Sequence, residues 1–258
     1  KSRIGMCNRI KGIISFIILL ISTVKAGEAQ SHFGHYLDSL QMVIESANED
    51  TSLVMLLISS SNEFYESNST LAFQQADRAI NLANKLNWKK GEALALLNVA
   101  KLYNLNGEFS QSVDAFLSAA KVAEAISDTA LLIRAWCETG DSYRMLENFT
   151  LAKAYQKQAL ELARKTGREE QMLTVLVYLA KLSSDLKEWD AVDIYSSEAL
   201  PIATRLKKEN VKAVVLLTLA QRASYLKQYQ NAITLYRQSL EVWQASDNPT
   251  YTAFTQAA

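Results

Sequence analysis

The sequence is poor in glycine and proline, with 8 Gly and 2 Pro among 258 residues. Average soluble proteins contain about 7% Gly and about 5% Pro. Sandwiches, barrels and doubly wound sheets use these residues at many of their turns, because Gly and Pro adopt the backbone conformations that tight turns need. A chain with so few of them is better explained by helices joined through short connections. The composition therefore favours an all-α fold.

Charge, cysteine content and glycine spacing exclude several functional classes. The 27 basic and 27 acidic residues give no net charge, whereas a nucleic-acid-binding domain normally has a clear basic excess. Two cysteines cannot form a disulfide framework or a cysteine-rich zinc site. The glycines occur singly, so the chain has no Gly-rich loop that could hold a phosphate. We expect no nucleic-acid partner and no cofactor.

The segment 1–30 differs from the rest of the chain in charge and hydropathy. It contains five basic residues and one acidic residue, and an apolar run at 13–21 is followed by small residues around Ala26. This order of segments is typical of a secretory signal peptide. Continued through Val24, the apolar stretch is about 12 residues long, shorter than the roughly 20 that span a bilayer.

We therefore predict a signal peptide at 1–26, a leader or capping helix at 27–50, and a secreted or periplasmic location. An uncleaved signal anchor and a buried core helix are the alternative interpretations of the apolar run.

From about position 51 the sequence is a repeat with a period of forty, as from Ala100 to Gly140 and on to Ala180. Three columns of the repeat hold small residues almost without exception. A side chain larger than Ala would force apart two helices that cross closely, so such columns indicate helix crossings. The columns are Ser60, Ala100, Gly140, Ala180, Ala220; Ala72, Ser112, Ala152, Val192, Ala232; and Ala79, Ala119, Ala159, Ala199, Ser239.

Each unit predicts two helices. In the second unit Leu96, Val99, Ala100 and Tyr103 form one apolar stripe with helical spacing. The column Thr70, Ser110, Thr150 and Asp190 offers N-cap residues for the second helices, and it follows the aromatic column Phe109, Phe149, Trp189 and Tyr229. The predicted pairs are 51–65 with 70–85, 91–105 with 110–126, 130–146 with 150–166, 170–186 with 190–206, and 210–226 with 230–245.

Over residues 53–245 the pattern resembles the tetratricopeptide repeat (TPR). The third unit carries the motif best, with Trp136, Thr139, Gly140, Tyr143, Phe149, Ala152 and Ala159. The resemblance implies a right-handed superhelical solenoid of antiparallel helix pairs. The five units would be 51–90, 91–130, 131–170, 171–210 and 211–246, and 247–258 would begin a sixth, truncated unit. The usual period is about 34 residues, so the chain is similar to a long-period subclass of the family.

The sequence gives little support for catalysis or for a metal site. His32 and His35 stand near Asp38 at a helical spacing that could hold a metal, but a solvated leader segment explains them equally simply. Cys137 has only these remote histidines as possible bases, so we interpret it as a small buried apolar residue. We expect no metal ligands and no catalytic residues.

The resemblance implies a concave surface lined by the first helix of each unit. Polar residues in the columns of that helix could offer charge-assisted hydrogen bonds to an extended peptide; the alternative is an ordinary solvated helix face. The column of Leu57, Leu97, Cys137, Val177 and Leu217 is apolar, which disfavours the dicarboxylate clamp of chaperone-binding relatives. The candidate groove residues are Asn98, Lys101, Asn104, Glu138, Asp141, Arg144, Tyr178, Lys181 and Gln221.

We therefore predict a non-catalytic, extracytoplasmic scaffold that binds a protein or peptide. The alternative is the sensor region of a bacterial membrane signalling protein, such as a histidine kinase or diguanylate cyclase, whose catalytic domain lies beyond Ala258. Membrane contact is expected only through the signal segment or a missing C-terminal span.

Overall fold

The computed structural model describes residues 37–245, and this part of the chain is helical without any strand. Helix α1 covers residues 37–46, and ten further helices follow as antiparallel pairs. The first helices of the pairs are α2 (Thr51–Tyr65), α4 (Lys89–Leu105), α6 (Thr129–Met145), α8 (Glu169–Asp185) and α10 (Glu209–Tyr225). The second helices are α3 (Ser69–Lys85), α5 (Phe109–Ala125), α7 (Phe149–Lys165), α9 (Trp189–Arg205) and α11 (Tyr229–Ala245).

These helices confirm the predicted all-α solenoid of helix pairs, and each helix of the five predicted pairs begins within two residues of its expected start. Of the leader or capping helix predicted at 27–50, the structure describes residues 37–50, and α1 occupies 37–46 of them. The predicted signal peptide at 1–26, the segment at 247–258, and His32 and His35 lie outside the described residues. None of the helices between residues 37 and 245 is both long enough and apolar enough to cross a bilayer.

The forty-residue period arises from two half-units of equal length. Helices α3 to α11 contain 17 residues each, and connections of three residues join them. In each connection the middle residue is left-handed, with φ between 51° and 78°. The next N–H donates to a carbonyl five residues back, as from Trp88 to Ala83 at 2.9 Å. This arrangement is a Schellman turn, and it recurs at every connection from α3 to α11.

The last residue of each turn is also the N-cap of the following helix. Asn68 accepts a hydrogen bond from the N–H of Leu71 at 3.0 Å, and Asn148 accepts one from Leu151 at 3.2 Å. Glu108 and Glu188 occupy the same position without a side-chain cap bond. The predicted N-caps Thr70, Ser110, Thr150 and Asp190 are therefore wrong, because each lies in the first turn of its helix, two residues beyond the cap.

The three columns of small residues form the centre of the core. All of their members are buried, and the most exposed, Ala232, shows 4% of its surface. At Gly140 a Cβ atom would lie 2.5 Å from Cγ of Gln156 and 2.9 Å from the carbonyl oxygen of Ala152. Helices α6 and α7 approach so closely there that even Ala would force Gln156 to move.

The first helices lie on the inner side of the stack. The backbone of each first helix lies close to that of the first helix of the next pair, whereas the second helices within residues 51–245 are farther apart and are bridged by long side chains, as from Arg164 to Glu198. A stack whose first helices are closer together curves towards them. The fold thus turns the columns of α4, α6 and α8 towards a common concave surface.

Candidate binding groove

Helices α4, α6 and α8 enclose a cleft of about 360 Å³ near their C-terminal ends, which we call the first cleft. Seven of the nine predicted groove residues line it, because they occupy equivalent columns of three neighbouring helices. The seven are Lys101, Asn104, Glu138, Asp141, Arg144, Tyr178 and Lys181.

The other two predicted residues lie elsewhere. Asn98 is 4% exposed, and its Nδ2 donates to Oγ of Ser61 at 2.5 Å, so it links α4 to α2 inside the core. Gln221 is exposed on α10, outside the first cleft.

Sequence reasoning missed the apolar part of the first cleft. Leu105, Phe109 and Met145 also line it, and Leu105 and Met145 are 64% and 43% exposed. These two residues could have been predicted from their position in the repeat, because Leu105 directly follows Asn104 and Met145 directly follows Arg144. Exposed apolar side chains beside polar ones give the cleft a mixed character.

Arg144 joins α6 to α8. Its Nε donates to Oδ1 of Asp141 at 2.7 Å, its Nη1 donates to Oδ2 of Asp185 at 2.8 Å, and 10% of its side chain is exposed. Burial alone would lower the pKa of Arg144, but the two carboxylates outweigh it and raise that pKa. Because both partners belong to the chain, Arg144 positions the helices rather than offering a free charge.

Glu138 is a partly exposed carboxylate with a single side-chain hydrogen bond in the described chain. Its Oε2 accepts a hydrogen bond from the hydroxyl of Tyr178 at 3.2 Å, and no cation of the described chain lies within 4.0 Å of the carboxylate. Burial raises the pKa of Glu138 despite the opposing effects of Lys101 and Arg134. Burial and the nearby carboxylate likewise raise the pKa of Tyr178.

A second cleft of about 360 Å³ lies between the N-terminal halves of α6 and α8. Arg134, Cys137, Glu138 and Thr174 are among its lining residues, so Glu138 borders both clefts. Cys137 is 1% exposed, as predicted, and burial raises the pKa of its thiol. A buried thiol with a raised pKa is a poor nucleophile at neutral pH.

Two lysines in the first cleft have no ionic partner. Lys101 and Lys181 are exposed, and neither forms an ion pair within 4.0 Å in the described part of the chain. Asn104 accepts a hydrogen bond at Oδ1 from Oγ of Ser142 at 3.0 Å, which fixes its orientation. Between residues 37 and 245, no group of three or more His, Cys, Asp or Glu side chains is arranged to hold a metal ion.

Comparison with known proteins agrees with this architecture. A tetratricopeptide repeat family model matches residues 91–165, which run from the first turn of α4 to the end of α7. No curated protein matches the sequence significantly.

Several solved structures are similar in fold. BtubC (BKLC) from P. vanneervenii is 15% identical, with a TM-score of 0.71 over 84% of this chain and 92% of that chain. A Rap protein complexed with competence and sporulation factor is 13% identical, with a TM-score of 0.64 over 89% of this chain and 70% of that chain. A putative kinesin light chain with TPR-like repeats from Podosopora anserina is 15% identical, with a TM-score of 0.58 over 78% of this chain and 100% of that chain.

At these identities the similarity shows the fold alone. The structure is a TPR-like helical-repeat scaffold, a class whose extended concave surfaces typically bind partners rather than catalyse reactions.

Proposed function

We propose that the protein is an extracytoplasmic scaffold that binds a protein or peptide in the first cleft, without catalysis of its own. The observation that carries the proposal is the convergence of seven polar side chains from α4, α6 and α8 on one concave cleft. If these residues only formed solvated helix faces, they would not need to converge on one cleft.

The chemistry of the first cleft suits an extended peptide. Lys101 and Lys181 are free to make charge-assisted hydrogen bonds, and Leu105 and Met145 offer apolar contact next to them. The similar Rap protein is solved as a complex with competence and sporulation factor. That complex supports the proposal by analogy of fold.

Site-specific photo-crosslinking in the native host tests the groove. A benzoylphenylalanine at Leu105 should capture a partner, whereas the same group at Lys157, exposed on α7, should not. The double variant Lys101→Glu, Lys181→Glu should reduce capture by about tenfold or more, because it reverses two charges of the cleft. Lys121→Glu with Lys157→Glu is the matched control on the second helices. Equal capture from Leu105 and Lys157 would contradict the proposal.

The extracytoplasmic location is supported by the basic, apolar and small-residue order of segment 1–26. A reporter enzyme that is active only after export, fused after Ala258, should be active in the host. Activity of a reporter that works only in the cytoplasm would contradict this location. The alternative function, a sensor region preceding a signalling domain, stays a prediction that the reading frame downstream of Ala258 tests.

A further inference from the structure

We infer that Glu138 selects a ligand with a cationic side chain, a guanidinium or ammonium group that binds its carboxylate where the first and second clefts meet. This inference rests on the proposed function and specifies the chemistry of the bound segment.

The position of Glu138 gives it access to a bound ligand from two sides. It stands in the middle of α6, at the boundary of two clefts of about 360 Å³ each. A segment that follows the groove along α6 through both clefts must pass over this carboxylate. Only Oε2 has a hydrogen bond within the described chain, so Oε1 is available to a donor from the ligand.

The surroundings of Glu138 leave its charge incompletely compensated. Lys101 faces it from α4, Arg134, Cys137 and Asp141 from α6, and Tyr178 from α8. The two cations act on it from beyond ion-pair distance, Asp141 is already bonded to Arg144, and the single hydrogen bond from Tyr178 is long at 3.2 Å.

Comparison with the free lysines shows why Glu138 should dominate selectivity. Lys101 and Lys181 are exposed, so a ligand carboxylate must strip water from them, and exposed ion pairs gain little. Glu138 is only partly exposed in the folded chain, and burial raises the pKa of its carboxyl. Because this desolvation precedes binding, a cation that reaches Oε1 gains more from the contact than a carboxylate gains from either lysine.

Peptide selection tests the inference on the full-length chain. A displayed library of random dodecapeptides should yield binders with Arg or Lys at one fixed position. The same selection on Glu138→Gln should lose that preference. Glu161→Gln, an exposed carboxylate on α7 outside both clefts, is the matched control and should keep it.

The selected peptide then gives a quantitative test. Replacing its basic residue by uncharged citrulline should weaken binding to the natural chain about tenfold or more, because a charge-assisted hydrogen bond is lost. The same replacement should change binding to Glu138→Gln by less than about twofold, since the coupled partner is absent. Calorimetry of each pair measures both numbers.

The pH dependence adds a readout that a structural role would not produce. The ligand cation favours ionised Glu138, so affinity should fall as pH decreases through the raised pKa of this carboxyl. Affinity of the citrulline peptide should change much less. The Glu138→Gln variant should fold, because burial disfavours a neutral amide less than it disfavours a carboxylate.

The two proposals fail in different ways. Binders without any preferred basic position would overturn the role of Glu138 and leave the peptide-binding groove intact. Binders whose basic position is retained on Glu138→Gln would also overturn it. A selection that enriches no peptide above background would contradict the proposed function, and this inference with it.

Discussion

Along one edge of the solenoid, where each first helix turns into its second helix, large apolar side chains reach solvent. Leu105, Met145, Leu146, Tyr225, Leu226 and Tyr229 are 38% to 64% exposed there. Along the opposite edge, where each second helix leads to the next pair, the connecting residues 86–88, 126–128, 166–168 and 206–208 expose no large apolar side chain to this degree. Ion pairs join neighbouring helices on that side, which we call the paired edge, such as Lys90 with Asp128 and Lys208 with Glu170. The apolar edge also has ion pairs between helices, Arg144 with Asp185 and Lys153 with Glu188, but there they stand beside exposed apolar side chains.

The difference lies in the side chains and not in the backbone. Both edges use the same three-residue Schellman turn, so neither apolar exposure nor ion pairing is required by the geometry. The paired edge adds small, salt-sensitive contacts between units. The apolar edge continues the wall of the first cleft through Leu105 and Met145. Of the two edges, the apolar one is thus placed to contribute to recognition.

The largest expected effect is at Arg144, where the groove meets the apolar edge. Arg144→Met should lower the free energy of unfolding by about 2 kcal/mol, because Asp141 and Asp185 lose their common partner in a half-buried site. Urea denaturation measures the change. Arg134→Met, which removes an exposed cation from the same helix, should cost less than about 0.5 kcal/mol. Equal costs would show that the link between α6 and α8 is not important for stability.

On the paired edge, Asp128 combines a cap with an ion pair. Asp128→Ala should cost about 1–2 kcal/mol, and Asn148→Ala, a cap without an ion pair on the apolar edge, about 1 kcal/mol. Burial alone would raise the pKa of Asp128, but the N–H of Leu131, the ammonium of Lys90 and the N–H of Ala130 lower it.

The lowered pKa of Asp128 fixes the sign of its pH dependence. Its contribution to stability is complete above the unfolded pKa and is lost as pH falls through the folded pKa. The difference in unfolding free energy between the natural chain and Asp128→Ala should therefore shrink in acid. A difference that grows in acid would contradict this assignment.

Because the turns of the two edges have the same backbone geometry, we expect substitution of their glycines to lower the free energy of unfolding equally. Gly107 on the apolar edge and Gly167 on the paired edge have φ of 78° and 65°, and an added Cβ would contact nothing within 4 Å at either. Gly107→Ala and Gly167→Ala should each cost about 1 kcal/mol from left-handed strain alone. Thermal denaturation compares them directly. A cost confined to one edge would show that the turns are not equivalent.

The smallest effects separate the edges by their response to salt. Lys208→Ala and Tyr229→Ser should each change the unfolding free energy by less than about 0.5 kcal/mol. The effect of Lys208→Ala should disappear in about 1 M salt, where charges are screened within about 3 Å. Tyr229→Ser should instead reduce retention on a hydrophobic column, with no dependence of its stability effect on salt.

The fold could be predicted from sequence because closely crossing helices require small residues, and the sizes of residues can be read from the sequence. Positions such as Ala100, Gly140 and Ala180 must be small wherever helices cross, so the even spacing of these positions gives the period. The helix starts were less accurate. The left-handed residue of a Schellman turn is usually Gly, but Lys187 and Lys207 occupy that position here. The turns therefore leave no clear signal in the sequence.

The groove could be predicted in part for a related reason. Lys101, Asp141 and Lys181 occupy the same column of the repeat, so their proximity can be predicted without knowledge of side-chain contacts. The pairing of Arg144 with Asp185 was missed because the partner is 41 residues away, one residue outside the shared column. Asn98 was misplaced because Ser61, on the preceding first helix, draws its amide into the core.

The equal half-units restrict how the length of this chain can change. Since a helix of 17 residues and a turn of three make each half, inserting or deleting one whole period would leave all other side chains on their original faces. A change of half a period would exchange inner and outer helices. A change by the common TPR period of about 34 residues would rotate every later helix out of register. Gene duplication of whole units could therefore extend the binding surface one step at a time, so that the length of ligand recognised can evolve without any redesign of the core.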